Sequence, residues 1–435
     1  MRVRVIFGQV APGAGRRQPG ERQMARTRAD LGAGVRLTDL VSFGVIGKTF
    51  PLAAVQEVLA TTGRQSRRRR LLPAHVVVYY VIALSLYMQV SCPEVLRCLL
   101  EGLRWLHGQE IPALPVAGES GISQARSRLG AEPMRQLHDA LVRPIATPQT
   151  RGAWYGPWHL VSLDGSTLDV PDTQANAPVF GRQEVGRGHA AFPQIRLVSL
   201  VESGTHVLFG SQWGPYATAE RTLARCVIER LRPGMLCLAD RGFYGFELWQ
   251  APSQTGADLL WRVPKNVQLP VEERLADGSF LSHLYPSTAA RSRQRHGIPV
   301  RVITYQLPGL AGAEPLYRVI TTILDVQKAP AAELAALYHE RWEIETAFDE
   351  LKTHLRGSRI VLRSKTPELV AQEFYGLMMA HFAVRGIMHE AALQEQVDPD
   401  ELSFIHAVRV VRRTLPEAIA SPPSGSTDPP PTDPL

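Results

Sequence analysis

Cysteine is scarce in this chain: there are four in 435 residues, Cys92, Cys98, Cys226 and Cys237. They form no CxxC pair and have no histidine at the spacing of a zinc site, which excludes cysteine-held zinc. Cys226 and Cys237 lie in apolar contexts and are expected in a core, in a reducing compartment. Lysine is also rare, five of the 48 basic residues, so arginine carries most of the positive charge behind the net +7. Guanidinium forks suit phosphate oxygens, and the balance points toward a nucleic-acid partner. The basic amino terminus lacks an apolar core long enough for a signal peptide, and Met24 offers a second start. One run, 71–90, approaches the length of a membrane span behind Arg67, Arg68, Arg69 and Arg70. Pro73, His75, Ser85 and Gln89 interrupt it and no second run accompanies it, so it is expected to be a buried helix with no membrane role. No internal repeat is present.

Residues 1–36 are rich in Gly, Arg and Pro without periodicity and read as a disordered extension. Helical patterning starts at Leu37. Val55, Val58 and Leu59 share a face of a short helix ending at Gly63, followed by the arginine run, the apolar helix and a helix over 93–106. The segments 121–130 and 133–145 predict a helix, a turn and a second helix. They read two ways: Arg126 and Arg128 contact DNA as in a helix-turn-helix, or the pair packs on the neighbouring domain. Arg67, Arg68 and Arg69 suit backbone phosphates, although a solvated charge run explains them nearly as well. These elements make an all-helical domain over 37–150.

From His159 the period changes to two. The stretch 159–165 alternates into an apolar strand that ends in Asp164 and Gly165, and 234–245 does the same with Asp240. A strand ending in aspartate delivers a carboxylate to the rim of a sheet, where a hard cation can be held; a turn-forming or capping Asp is the plainer alternative for each one. Strands are predicted over 192–203 and 205–214, a helix over 217–231 and a buried strand over 235–239. The 105 residues from Asp240 to Glu345 are too many for one crossover, and 257–265, 300–307 and 317–325 are strand-like within them. There Trp261, Arg262 and Lys265 are candidates to face DNA, with the indole free to stack on a displaced base, or else Trp261 is core.

The segment 338–352, YHERWEIETAFDELK, organises the rest. As one helix at about 100° per residue it places Tyr338, Arg341, Glu345 and Lys352 within roughly 60° of one another. Leu337, Ile344, Phe348 and Leu351 form the packing flank. One carboxylate stands among three phosphate-holding groups, although ordinary charge pairs on a surface helix give the same pattern. Amphipathic helices over 367–393 and 402–413 follow, and residues 416–435 are a disordered, proline-rich tail.

The spacing of Tyr338, Arg341, Glu345 and Lys352 resembles the YREK signature of the DDE transposases of the insertion sequence 4 family. The segments 164–181 and 239–245 are similar to that family's two aspartate regions, in the same order. The resemblance implies an α/β fold: a ribonuclease-H-like catalytic domain over 151–415, with a β-rich insertion at about 266–325, behind the helical domain. It implies Asp164, Asp240 and Glu345 as catalytic metal ligands; Asp169 and Asp172 are rivals to the first. It implies two Mg²⁺ ions, for which Mn²⁺ can substitute, with Tyr338, Arg341 and Lys352 on phosphates around the scissile bond. The expected activity is cut-and-paste transposition of the chain's own insertion sequence. The expected partners are terminal inverted repeats, target DNA and a second copy in a synaptic dimer, on the bacterial nucleoid in the cytoplasm. A metal-dependent nuclease of the same fold and a catalytically decayed DNA-binding protein are the competing functions.

Overall fold

The computed structural model describes residues 41–68, 70–106, 116–186, 188–306, 316–341, 343–355 and 361–412. The two expected disordered segments, 1–36 and 416–435, lie outside the described residues, as does Arg69.

Six helices come first: α1 (Val41–Thr49), α2 (Leu52–Thr61), α3 (Ala74–Leu86), α4 (Cys92–Leu106), α5 (Glu119–Leu129) and α6 (Glu132–Leu141). The apolar run is α3, and every residue from Val76 to Leu86 is buried, as expected of a helix apolar on all sides. Among the described residues no helix is long and apolar enough to cross a membrane.

The sheet region begins with β1 (Trp154–Tyr155) and β2 (Trp158–Asp169), then α7 (Ala177–Phe180) and a small hairpin, β3 (Glu184–Val185) and β4 (Gly188–His189). Next come β5 (Gln194–Glu202), β6 (Leu208–Pro215), α8 (Glu220–Ile228), β7 (Met235–Ala239), α9 (Phe246–Ser253) and β8 (Asp258–Arg262). β2, β5 and β6 form an antiparallel meander, and β7 and β8 add to β2 in parallel. The expected order of three strands, a helix and a buried strand is therefore observed.

The segment beyond β8 supplies β9 (Glu273–Arg274), β10 (Phe280–Leu284), α10 (Thr288–Ser292), β11 (Ile298–Tyr305) and β12 (Tyr317–Thr321). These strands do not make a separate sheet. They continue the first one, in the order β6-β5-β2-β7-β8-β12-β11-β10-β9, with β12 antiparallel to β8.

β7 is buried along its whole length, and its side chains alternate between two cores. Met235, Cys237 and Ala239 join the larger core, while Leu236 and Leu238 join a smaller one with Leu334, Leu337 and Tyr338 of α11 (Ala331–Glu340). The chain closes with α12 (Glu343–Asp349), a π-helix over Glu350–Leu355, α13 (Pro367–Glu395), a 3-10 turn over Pro399–Glu401 and α14 (Phe404–Val411).

α13 packs on α3, α6, α1 and α14, so it lies among the amino-terminal helices although it comes after the sheet in sequence. The crossing with α3 is close: a Cβ at Gly376 would lie 2.7 Å from the Val81 carbonyl oxygen.

Candidate active site

The register of β2 and β7 explains why two aspartates 76 positions apart meet. In the parallel pair Leu163 stands beside Ala239, and the next residue on each chain is Asp164 and Asp240. Alternation along β2 puts Asp164 and Ser166 on the face that Trp158 and Leu160 share with α11. The strand does not finish at Asp164, as the sequence suggested, but runs on to Asp169 because its pairing with β5 continues to Gln194. Both carboxylates are held from the backbone of a following glycine-containing segment. The Gly165 N–H donates to Asp164 Oδ1 at 2.8 Å and the Gly242 N–H to Asp240 Oδ1 at 2.9 Å.

Burial pushes the Asp164 carboxyl up to about 6, and the negative charges of Asp240 and Glu220 act in the same direction, against the Gly165 N–H and the Arg341 guanidinium. Glu220, in the first turn of α8, crowds this point: a Cβ on Gly165 would lie 3.0 Å from its carboxyl carbon. The rival aspartates are elsewhere. Asp169 accepts from Gln194 at 2.8 Å, and Asp172 pairs with Arg182 at 2.5 Å.

The signature segment is not one helix. α11 ends at Glu340, Arg341 caps it, α12 carries Glu345, and Lys352 lies in the π-helix. The single-helix geometry predicted from 100° steps is therefore corrected, yet three of its four polar groups still reach the aspartate strands. The Tyr338 hydroxyl donates to the Ala239 carbonyl at 3.3 Å, Arg341 Nη1 lies 3.4 Å from Asp164 Oδ2, and Lys352 Nζ donates to Ser166 Oγ at 3.0 Å. The Arg341 guanidinium also stands 5.9 Å from the Tyr338 ring centroid. Glu345 is exposed. Among the described residues no three carboxylate, imidazole or thiol groups converge to hold a metal ion. Asp164 and Asp240 are thus brought together, and Glu345 does not complete a three-carboxylate group with them.

Several expected DNA contacts need correction. Trp261 is fully buried on an inner strand, edge-on to Trp249 with ring centroids 5.4 Å apart, and has no face for a base. Arg126 is buried between helices, donating to Gln372 Oε1 at 2.7 Å, Ser364 Oγ at 2.8 Å and the Leu369 carbonyl at 3.0 Å. Of the two readings of α5 and α6, packing on α13 is the observed one. Cys237 is buried as expected, but Cys226 is exposed, because α8 turns Leu223, Ala224 and Val227 inward instead.

Arg262 is half-buried with its guanidinium 4.6 Å from the Tyr317 ring centroid, and Lys265 is exposed. Arg67, Arg68 and Arg128 are exposed and, with Arg64 and Arg70, line a cleft of about 480 Å³. Sequence reasoning missed Ser166 and Glu220. The alternation past Asp164 would have found Ser166; nothing local marks Glu220.

Residues 40–139 match the family described as insertion element 4 transposase N-terminal, and residues 159–383 match the transposase DDE domain. The chain is 30% identical over 372 residues to the transposase InsG for insertion sequence element IS4 of Escherichia coli, covering 83% of this chain and 80% of that one. It is 27% identical over 227 residues to the putative transposase InsZ of the same organism, covering 50% and 70%. Among solved structures, a piggyBac transposase synaptic complex with hairpin DNA aligns over 86% of this chain and 79% of that chain, at a TM-score of 0.43 and 11% identity. By these matches the chain belongs to the insertion element 4 family of DDE transposases, enzymes that act on DNA.

Proposed function

We propose that this transposase moves its own insertion sequence by cut and paste, cleaving and joining phosphodiesters at a site made of Asp164, Asp240 and Glu345. One observation carries the reading. Arg341 and Lys352, on either side of Glu345 in sequence, contact Asp164 and Ser166 on one face of β2, so the segment bearing Glu345 is tied to the aspartate strand at both ends. The antiparallel β2-β5-β6 meander with parallel β7 and β8 supports a ribonuclease-H-like catalytic domain over 151–415, with the β-rich insertion at about 266–325 extending its sheet.

Adjacent hard oxygen donors at Asp164 and Asp240 fit a divalent cation such as Mg²⁺ or Mn²⁺, and Glu345 would be the third ligand. Held by Asp164, Asp240 and Glu345, two such ions would supply activation of the attacking oxygen and charge stabilisation at the leaving oxygen of an in-line displacement. The protein's own groups do the rest. Asp164 and Asp240 repel each other and so favour cation uptake. Arg341 grips a phosphate with its fork, Lys352 supplies a point charge beside it, and Tyr338, its hydroxyl bonded to the Ala239 carbonyl, anchors the end of α11 beside β7. The cleft lined by Arg67, Arg68 and Arg128 tracks the backbone of the terminal inverted repeat, while Arg262 and Lys265 lie nearer the scissile bond. A dimer holds both element ends and the target DNA, on the nucleoid of a bacterial cytoplasm.

The test is an in vitro cleavage and strand-transfer assay with the DNA flanking the gene as donor, in magnesium and in manganese. Glu345→Gln is expected to abolish cleavage and leave end binding nearly intact. Normal cutting by that variant would show the triad to be wrong. Cleavage by wild type without joining would favour a nuclease, and binding without cleavage in either metal a decayed transposase.

A further inference from the structure

Five positions after Glu345 the chain makes an ion pair that the proposed cleavage chemistry does not use. Glu350 opens the π-helix and is buried, and its carboxylate receives Arg385 of α13 through both oxygens, Nε at 2.8 Å and Nη2 in a second close contact. Arg385 is itself 2% exposed. His381, one turn earlier on α13, places Nε2 3.4 Å from Glu350 Oε2, and His206 Nδ1 lies 3.6 Å from Oε1. His206 stands between β5 and β6 with a left-handed φ of 56°, and its other ring nitrogen lies 3.1 Å from Asp400 Oδ1. Burial pushes the Glu350 carboxyl up, but the hydrogen bonds of His206 and His381 and the charge of Arg385 outweigh it and hold the group ionised.

Such a pair is a poor source of stability, since well-packed apolar groups often do as well, but it is directional. A bidentate fork sets both the height and the rotation of the helix it grips. Here it grips the point where the α-helix bearing Glu345 becomes the π-helix bearing Lys352, and a π-turn alters the angular step between those two side chains. Lys352 already meets Ser166, so a change of setting at Glu350 is transmitted to β2 within two residues.

We propose that Glu350, gripped by Arg385, is a positioning residue for DNA cleavage: it fixes the setting at which Glu345 and Lys352 are presented to Asp164 and Asp240. This rests on Glu345 being the third carboxylate.

The experiment uses the full chain with its donor DNA. It measures single-turnover cleavage against Mg²⁺ concentration, end-binding affinity and the thermal midpoint, in wild type, Glu345→Gln, Arg385→Lys and the apolar double variant Glu350→Leu with Arg385→Met. Arg385→Lys keeps the charge beside Glu350 and loses the fork. It is expected to fold and to bind ends as wild type does, to cleave about ten- to a hundredfold more slowly, and to need several-fold more Mg²⁺ for half-maximal rate. The double variant is expected to keep the wild-type thermal midpoint while cleaving slowly, which a merely structural pair would not do. Wild-type rate and metal dependence in Arg385→Lys overturn the proposal, whether or not the double variant folds. A lowered midpoint with unchanged cleavage per folded molecule overturns it too. Normal cleavage by Glu345→Gln would instead sink the assignment of the third carboxylate on which it rests.

Discussion

Asp164 carries a cost that can be measured without any reaction. Its carboxyl is raised from the ordinary aspartate range to about 6, chiefly by burial and further by Asp240 and Glu220. A folded-state value above the unfolded one means that the folded protein holds the proton more tightly. The stability this contributes is present in full below about pH 4 and is lost as pH rises through about 6. Asn mimics the protonated form. In chelator-treated protein, Asp164→Asn is therefore expected to equal wild type near pH 4 and to exceed it by about 3 kcal/mol at pH 8. Denaturant unfolding across that range measures the difference, and Mg²⁺ should shrink it by stabilising only the wild type. A pH-independent difference would show that Asp164 is not the strained group. The DG pair was legible in the sequence, but the strain was not, because Glu220 arrives from α8 and Asp240 from another strand.

At the level of elements, both periodicities found their elements and neither fixed every end: the helices over 93–106 and 367–393 are observed, whereas β2 runs past Asp164 to Asp169. β7 runs from Met235 to Ala239 as its apolar run implied, because a strand buried on both faces has few alternatives. The signature segment kept its contacts but not its helix: Arg341 ends α11, and Glu350 begins a π-turn to meet Arg385. Helical spacing cannot register the contact of Glu350 with Arg385, whose partner lies on α13. Trp261 fails as a DNA contact for a similar reason. Hydrophobic stacking and core packing call for the same residue type, and only the placement of β8 between β7 and β12, under Trp249, decides between them. Trp261→Ala is accordingly expected to destabilise the fold by about 3–5 kcal/mol, read by denaturant unfolding, with no change in the salt dependence of DNA binding among the molecules still folded. A selective loss of binding would restore the indole to the interface.

Across the whole molecule, the amino-terminal helices and the chain beyond the sheet are joined by α13, and Arg126 is one of the clamps. It bonds Gln372, Ser364 and Leu369, and Gln372 Nε2 returns bonds to the Arg126 and Gly130 carbonyls. Arg126→Ala is expected to cost about 2–4 kcal/mol of stability, because it empties a buried site and leaves its acceptors unpaired. Arg128→Ala, two residues on but exposed in the arginine-lined cleft, should leave stability alone and lower the slope of log affinity against log salt by about one. Denaturant unfolding and salt-titrated end binding on both variants separate the roles, and a reversed outcome would return Arg126 to the DNA. By itself the sequence determined most element types, the two aspartate strands and the YREK spacing, since alternation, apolar runs and motif distances are properties of the chain alone. The tertiary structure decided which arginines face solvent, that Asp164 and Asp240 are neighbours, and that Arg385 holds Glu350. Each of those depends on which strands pair and which helices cross, and residues far apart in the chain settle that together.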